Sequence, residues 1–298
     1  MLTRIAVAVI ALTASSAFAE PNVALVAAAG SSTSFNDVQS KLLATGLFGS
    51  VGILDASAGN PTPDQLAQYD AVLVWSNTSF LNAALLGDTL ADYVDSGRGV
   101  VVAAFATSTT TANRSIAGRF HTGGYEIIPV ASGNTTGTAT FGTALVPDHP
   151  TLAGVSTLRG GTGSYRPTTT ALAPHGIKVA TWSDGKTLIA ASSQFPNRVD
   201  LGLYPPSANA VSASWDPTTD GARILANALL ATIHTAPPCD PDVNQDGNID
   251  QDDVSYLINV VAGGPNPTGI DPDFTRDGNA DQDDISSLIN VVAGGACP

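Results

Sequence analysis

The chain has 298 residues, 43% of them hydrophobic and only 13% charged, with a mean hydropathy of +0.15. That much apolar material excludes a wholly disordered chain. A formal charge of −14, from 26 acidic and 12 basic residues, excludes a nucleic-acid-binding surface, and with only two cysteines, Cys239 and Cys297, a zinc ribbon or iron–sulfur centre is excluded too.

The first elements are those of a targeting segment. Arg4 precedes an apolar run over residues 5–12, and Ala17-Phe18-Ala19 offers a small-residue cleavage site. This order predicts a secretory signal peptide over residues 1–19, and hence an exported chain, secreted or held at the cell surface. No later run reaches the ~20 apolar residues of a bilayer-spanning helix, so no transmembrane segment is expected in the mature chain.

Residues 20–235 then read as one α/β domain. Apolar runs predict strands over 22–28, 51–54, 71–75 and 99–105, and helical periodicity predicts helices over 35–45 and 82–96. Strands that alternate with helices imply a parallel sheet covered on both faces. Residues 106–170 are rich in Thr and Gly, which predicts loops and added antiparallel strands; returning strands over 187–191 and 198–203 and a closing helix over 220–234 follow. Ser31 in the Gly30-Ser31-Ser32-Thr33-Ser34 turn suits a helix cap rather than a phosphate loop, since the lysine and spacing of a P-loop are missing. Trp75, Trp182 and Trp215 are expected to pack in the core or at its rim.

Four segments carry a resemblance: YDAVLV at 69–74, LADYVDSGRGVV at 90–101, DHPTLAGV at 148–155 and GARILANAL at 221–229. In order and spacing the domain resembles the ThuA-like branch of the class I glutamine-amidotransferase-like superfamily. The resemblance implies a flavodoxin-like parallel sheet with helices on both faces and β-rich insertions. It also implies a nucleophilic cysteine on the turn after the 99–105 strand, but that turn reads Phe105-Ala106-Thr107-Ser108. No G-x-S-x-G elbow occurs either. Ser108, with His121 or His149 as base, is a weak substitute, because Ser and Thr after a strand more often form turns and His149 lies between Asp148 and Pro150 as a turn residue. No catalytic residue is therefore assigned.

Composition changes abruptly after Ala236-Pro237-Pro238, which reads as a linker over 236–238. Residues 237–298 hold twelve aspartates against one basic residue, Arg276. Within them DGNIDQDDVSYLINVVAGG, at 246–264, returns 31 residues later as DGNADQDDISSLINVVAGG, with 16 of 19 positions identical. Each copy opens with a calcium-type loop. Asp242, Asn244, Asp246, Asn248, Asp250 and Asp253 occupy loop positions 1, 3, 5, 7, 9 and 12, and Gly247 occupies 6. A hard cation needs six to eight oxygens, alternate residues of a tight loop supply them, position 7 gives its backbone carbonyl, and glycine allows the turn. The second loop has Asp273, Thr275, Asp277, Asn279, Asp281 and Asp284, with Gly278 at 6; neutral Thr275 predicts the weaker site. Two calcium ions are expected. Behind the loops, Val254, Leu257, Ile258 and Val261, and then Ile285, Leu288, Ile289 and Val292, form helical stripes closed by Gly263-Gly264 and Gly294-Gly295.

Two loop-plus-helix units with Asp at position 12 resemble a type I dockerin, of the cysteine-flanked kind found in exported planctomycete-type proteins. The resemblance covers 239–298 and implies a small all-α calcium module. In dockerins the pair before the closing Asp contacts a cohesin; here those pairs are Gln251-Asp252 and Gln282-Asp283, which are not the usual Ser/Thr pair, so the partner is a cohesin-like or another cell-envelope protein. Cys239 and Cys297 bracket the module, and in an exported chain a disulfide is the default, with a lone Cys297 serving as an attachment handle as the alternative. The expected function is a non-catalytic α/β interaction module, with a glycan as a further partner, attached through a calcium-dependent docking module. The alternative is a docked hydrolase or amidotransferase-like enzyme acting on polysaccharide.

Overall fold

The computed structural model describes residues 20–107, 109, 111–130, 133–233, 240–275 and 279–295. The expected signal peptide, the linker at 236–238, Ser108, Asp277 and both cysteines lie outside the described residues. Strands β1 (Asn22–Ala28), β2 (Ser50–Asp55), β3 (Ala71–Ser76) and β4 (Gly99–Ala103) alternate with helices α1 (Ser32–Leu43), α2 (Pro63–Leu66) and α3 (Ala83–Asp95). A short helix α4 (Gly118–Thr122) follows. Next come β5 (Asn134–Thr135), β6 (Ala139–Ala144), β7 (Arg159–Gly160), β8 (Arg166–Pro167), β9 (Gly176–Trp182), β10 (Thr187–Ser192), β11 (Arg198–Leu201) and α5 (Gly221–Thr232). Helices α6 (Gln251–Val261) and α7 (Gln282–Val292) complete the described chain.

The main sheet runs β2-β1-β3-β4-β11-β10-β9-β6-β7. Its first five strands pair in parallel, and the other four join antiparallel. The parallel half has the 2-1-3-4-5 order of a flavodoxin-like sheet. Period-two alternation divides β3 between two cores. Leu73 and Trp75 pack with Phe35 and Val38 of α1 and Leu225 of α5; Val72 and Val74 pack with Leu86 and Leu90 of α3. Both faces are thus covered, which is why the strands read as unbroken apolar runs.

Several elements depart from the sequence reading: helices α2 and α4 were not expected, the latter within the stretch read as loops and antiparallel strands. β9 was not expected, and it joins β10 with register shifts that break its alternation. Residues 104–105 lie beyond the end of β4, in the turn.

Helices α6 and α7 have a small core of their own, formed by Val243, Val254, Leu257 and Leu288. Ile258 and Ile289, assigned by the stripes to the core, are instead 45% and 50% exposed. Among the described residues, no helix is long and apolar enough to cross a membrane.

Candidate functional site

In an open α/β sheet, ligands settle beyond the carboxyl ends of the strands, where the strand order reverses. Here that is the crevice above β1 and β3. Ser31 caps α1 by accepting from the Ser34 N–H at 3.4 Å, so the Gly30–Ser34 turn serves the helix, as its composition suggests. The described part of the turn after β4 reads Ala104-Phe105-Ala106-Thr107. The Phe105 ring in it lies 4.7 Å from Tyr165, 5.4 Å from Tyr204 and 4.8 Å beneath the Arg114 guanidinium. Burial pushes the Tyr204 hydroxyl up to about 12, so it stays protonated. Sequence reasoning passed over Arg114, Tyr165 and Tyr204, because their spacing in the chain carries no motif.

The three described histidines are held structurally. His149 caps a one-turn 3-10 helix (Pro150–Leu152), and its Nδ1 lies 2.8 Å from Thr151 Oγ1. Burial pulls its pKa below the ordinary value. His175 meets the Ser192 hydroxyl through Nδ1 at 2.9 Å and the Gly124 carbonyl through Nε2 at 3.0 Å. His121 lies 2.5 Å from Glu126. Burial raises the Glu126 pKa while His121 and the Val130 N–H pull it down. The tryptophans are fully buried or nearly so; Trp182 and Trp215 donate to the carbonyls of Gly202 and Pro205, at 2.7 and 3.0 Å, so neither offers an open platform.

The two C-terminal loops share one geometry. The closing carboxylate of each is fully buried and ties both ends of its loop. Asp253 accepts from the Asn244 N–H at 3.1 Å and the Asp250 N–H at 2.9 Å. Asp284 accepts from the Thr275 N–H at 2.8 Å and the Asp281 N–H at 2.7 Å. Burial would raise the Asp284 carboxyl, but these donors outweigh it and hold the group below its ordinary value. Asp250 and Asp281 form capping boxes with those same closing residues, so each loop leads directly into its helix. In the first loop, Asp242 accepts from the Asp246 N–H at 3.0 Å and the Gly247 N–H at 2.9 Å. Gly247 has φ +90°, the left-handed turn that position 6 requires. The Thr275 hydroxyl donates to Asp284 at 3.0 Å.

The donor set is all oxygen: carboxylates, the Asn244 amide, the Thr275 hydroxyl and the carbonyls at position 7. That chemistry fits a hard divalent cation. Among the described residues, no three carboxylate, imidazole or thiol groups stand close enough to share one ion, and Asp277 lies outside them. In the first loop the carboxylates face backbone N–H groups instead. Gln251, Asp252, Gln282 and Asp283 are exposed on the first turns of α6 and α7. One difference between the copies has a visible cause. The Tyr256 hydroxyl takes the N–H of Thr268 at 3.1 Å and meets Asn266 Oδ1 at 3.0 Å, so it fastens the inter-repeat segment. The second copy has Ser287 at this position.

No protein-family model matches the chain, and no curated protein is similar to it. Among solved structures, it is similar to a ThuA-like protein from Bacteroides uniformis (12% identity, TM-score 0.54, covering 76% of this chain and 96% of that one). It is also similar to the cytoplasmic protein STM3548 from Salmonella typhimurium (13% identity, TM-score 0.51, covering 70% and 97%). A glutamine amidotransferase from Thermotoga maritima aligns at a TM-score of 0.45 and 11% identity, over 72% of this chain and 97% of that one. The first two likenesses, at such identities, show the fold alone: a mixed α/β domain with a large, mostly parallel sheet, consistent with the flavodoxin-like type.

Proposed function

We propose that the chain is an exported, non-catalytic α/β interaction module, attached to a cell-surface or extracellular partner by a calcium-dependent, dockerin-like module. What supports the docking half is the duplicated loop in which a buried Asp, 253 or 284, ties both ends of a twelve-residue oxygen-rich loop to the start of a helix. Asp242, Asn244, Asp246, the Asn248 carbonyl, Asp250 and Asp253 would hold one ion; Asp273, Thr275, Asp277, the Asn279 carbonyl, Asp281 and Asp284 would hold the other. When bound, each ion offsets two negative charges in a segment that carries twelve aspartates. The loops then set the angle of α6 and α7, and with it the exposed stripe Gln251, Ser255 and Ile258, repeated as Gln282, Ser286 and Ile289. Asp252 and Asp283 border that stripe and complete the docking face. What supports the non-catalytic half is the sequence of the turn after β4, Phe105-Ala106-Thr107-Ser108, which has no cysteine.

The test is retention of the purified full-length chain on a cell-envelope fraction, with calcium and with chelator. Retention should require calcium, and should be lost when Gln251, Asp252, Gln282 and Asp283 are all changed to Ala. Equal retention under chelation would contradict the reading.

A further inference from the structure

A cleft lies at the edge of the sheet far from β1 and β3, beside the end of β9 and the start of β6. It has a volume of about 700 Å3 and lies between the β6 and β7 edge of the sheet and the 208–217 segment. Its walls are tied to each other by main-chain bonds: Gly161 N–H to the Ser214 carbonyl at 3.0 Å, Gly163 N–H to the Ala213 carbonyl at 2.8 Å, and Asp216 N–H to the Arg159 carbonyl at 2.8 Å. Gly161 is needed for this approach, since a Cβ there would stand 2.7 Å from the Ser214 carbonyl oxygen. The cleft is therefore held open by the fold itself. Ala213, which lines it, has φ +64°, a left-handed conformation that is strained for a residue with a Cβ. Strain of this kind, kept by a residue that packs nothing in the core, clusters at ligand sites.

The lining fixes the ligand class. Arg159 and Asp216 pair at 2.9 Å at the cleft, with the arginine side chain 68% exposed. Thr138, Thr140 and Ser183 bring hydroxyls, and the remaining lining is largely Ala, Gly and Pro. A paired guanidinium and carboxylate present donors and acceptors side by side with no net charge. An anion would have to displace Asp216 from Arg159 and would meet its repulsion; a wholly apolar ligand would bury both charges without partners. A polyol hydroxyl accepts from the guanidinium and donates to the carboxylate at once, and its C–H faces suit the small apolar wall. We infer that this cleft binds a neutral saccharide, with Arg159 and Asp216 as the paired recognition groups. This deepens the non-catalytic reading of the domain and rests on it in one respect, that the saccharide is held and not cleaved.

The experiment is calorimetric titration of the full-length chain with cello-, xylo- and malto-oligosaccharides, with oligogalacturonate and with glycine, each followed by an assay for released reducing ends. At least one neutral oligosaccharide should bind, and oligogalacturonate and glycine should bind at least ten-fold more weakly. Arg159→Ala and Asp216→Ala should each lower that affinity at least ten-fold. Ala208→Trp, at an exposed lining position, should abolish it by filling the cleft, with thermal unfolding unchanged. No binding by any neutral oligosaccharide, tighter binding of the acidic oligomer or of glycine, or binding that survives Ala208→Trp would overturn the inference. Reducing ends released in step with binding would overturn the non-catalytic reading and leave the site in place.

Discussion

Arg198 and Asp200 form an ion pair at 2.6 Å in which both side chains are fully buried, two residues apart on β11. The pair fastens an insertion to the sheet. Asp200 accepts from the N–H groups of Ile127 and Ile128, at 3.0 and 2.8 Å, and Arg198 donates to the carbonyls of Tyr125 and Val100. Burial pushes the Arg198 guanidinium below its ordinary value, while Asp200 and Glu126 pull it up. Removing one partner leaves the other charged and alone in the core. Asp200→Ala is therefore expected to cost about 3–5 kcal/mol, measured by urea unfolding of the full-length chain. A cost below about 1 kcal/mol would show that the insertion is held by its apolar contacts alone.

Acid sensitivity should trace in part to Asp220. Burial would raise this carboxyl, but the N–H groups of Ser156 and Thr157, at 2.8 and 2.7 Å, and their hydroxyls hold it below the ordinary 3.8. A carboxyl depressed on folding stabilises the native state above its unfolded value, and that contribution disappears as the pH falls through the folded one. Asp220→Asn should lower the urea midpoint at pH 7, and the deficit should shrink progressively as the pH falls below 3.8. An undiminished deficit below pH 3.8 would show a role independent of charge. Glu126, raised by burial, has the opposite sign: its contribution declines as the pH rises above its ordinary 4.5.

Much of the fold was legible because burial on both faces leaves an unmistakable mark. β1 matches its predicted bounds, 22–28, because every residue from Val23 to Ala28 is buried. The 82–96 helix was bounded by Asn82, which accepts from the Leu85 N–H, and by Gly97 at φ +82°. β9 was missed because its inward and outward positions are scrambled by register shifts against β10. The oxygen-rich loops were legible because one local segment supplies every donor at fixed spacing. The Arg159 and Asp216 cleft was not, because its lining is gathered from segments near 138, 160, 183 and 208–217, joined only by the folded sheet edge.

Close packing between α3 and α4 gives a third expectation. A Cβ on Gly87 would stand 2.8 Å from the Ala117 carbonyl carbon and 3.1 Å from Ile116 Cγ2. The obstacle is backbone, which cannot swing aside. Gly87→Ala should thus destabilise by about 1–3 kcal/mol despite its higher helix propensity, as read by thermal unfolding. A gain in stability would mean that α4 is free to shift.

The two loops should respond unequally to substitution. Asp246 is a charged donor at loop position 5, whereas Thr275 brings a neutral hydroxyl already engaged with Asp284 at 3.0 Å. Asp246→Ala should weaken calcium binding at its loop at least ten-fold, and Thr275→Ala should weaken the other by less than that. Equal losses in calorimetric titrations of the two variants would show that the ligand assignment in the second loop is wrong.

Calcium titration of the full-length chain, by calorimetry after exhaustive chelation, bears most directly on the docking module. Two binding events per chain are expected, with a rise in the helical circular-dichroism signal, and an Asp253→Ala, Asp284→Ala double variant should lose both. An absence of binding at millimolar calcium, or binding that survives in the double variant, would contradict the account.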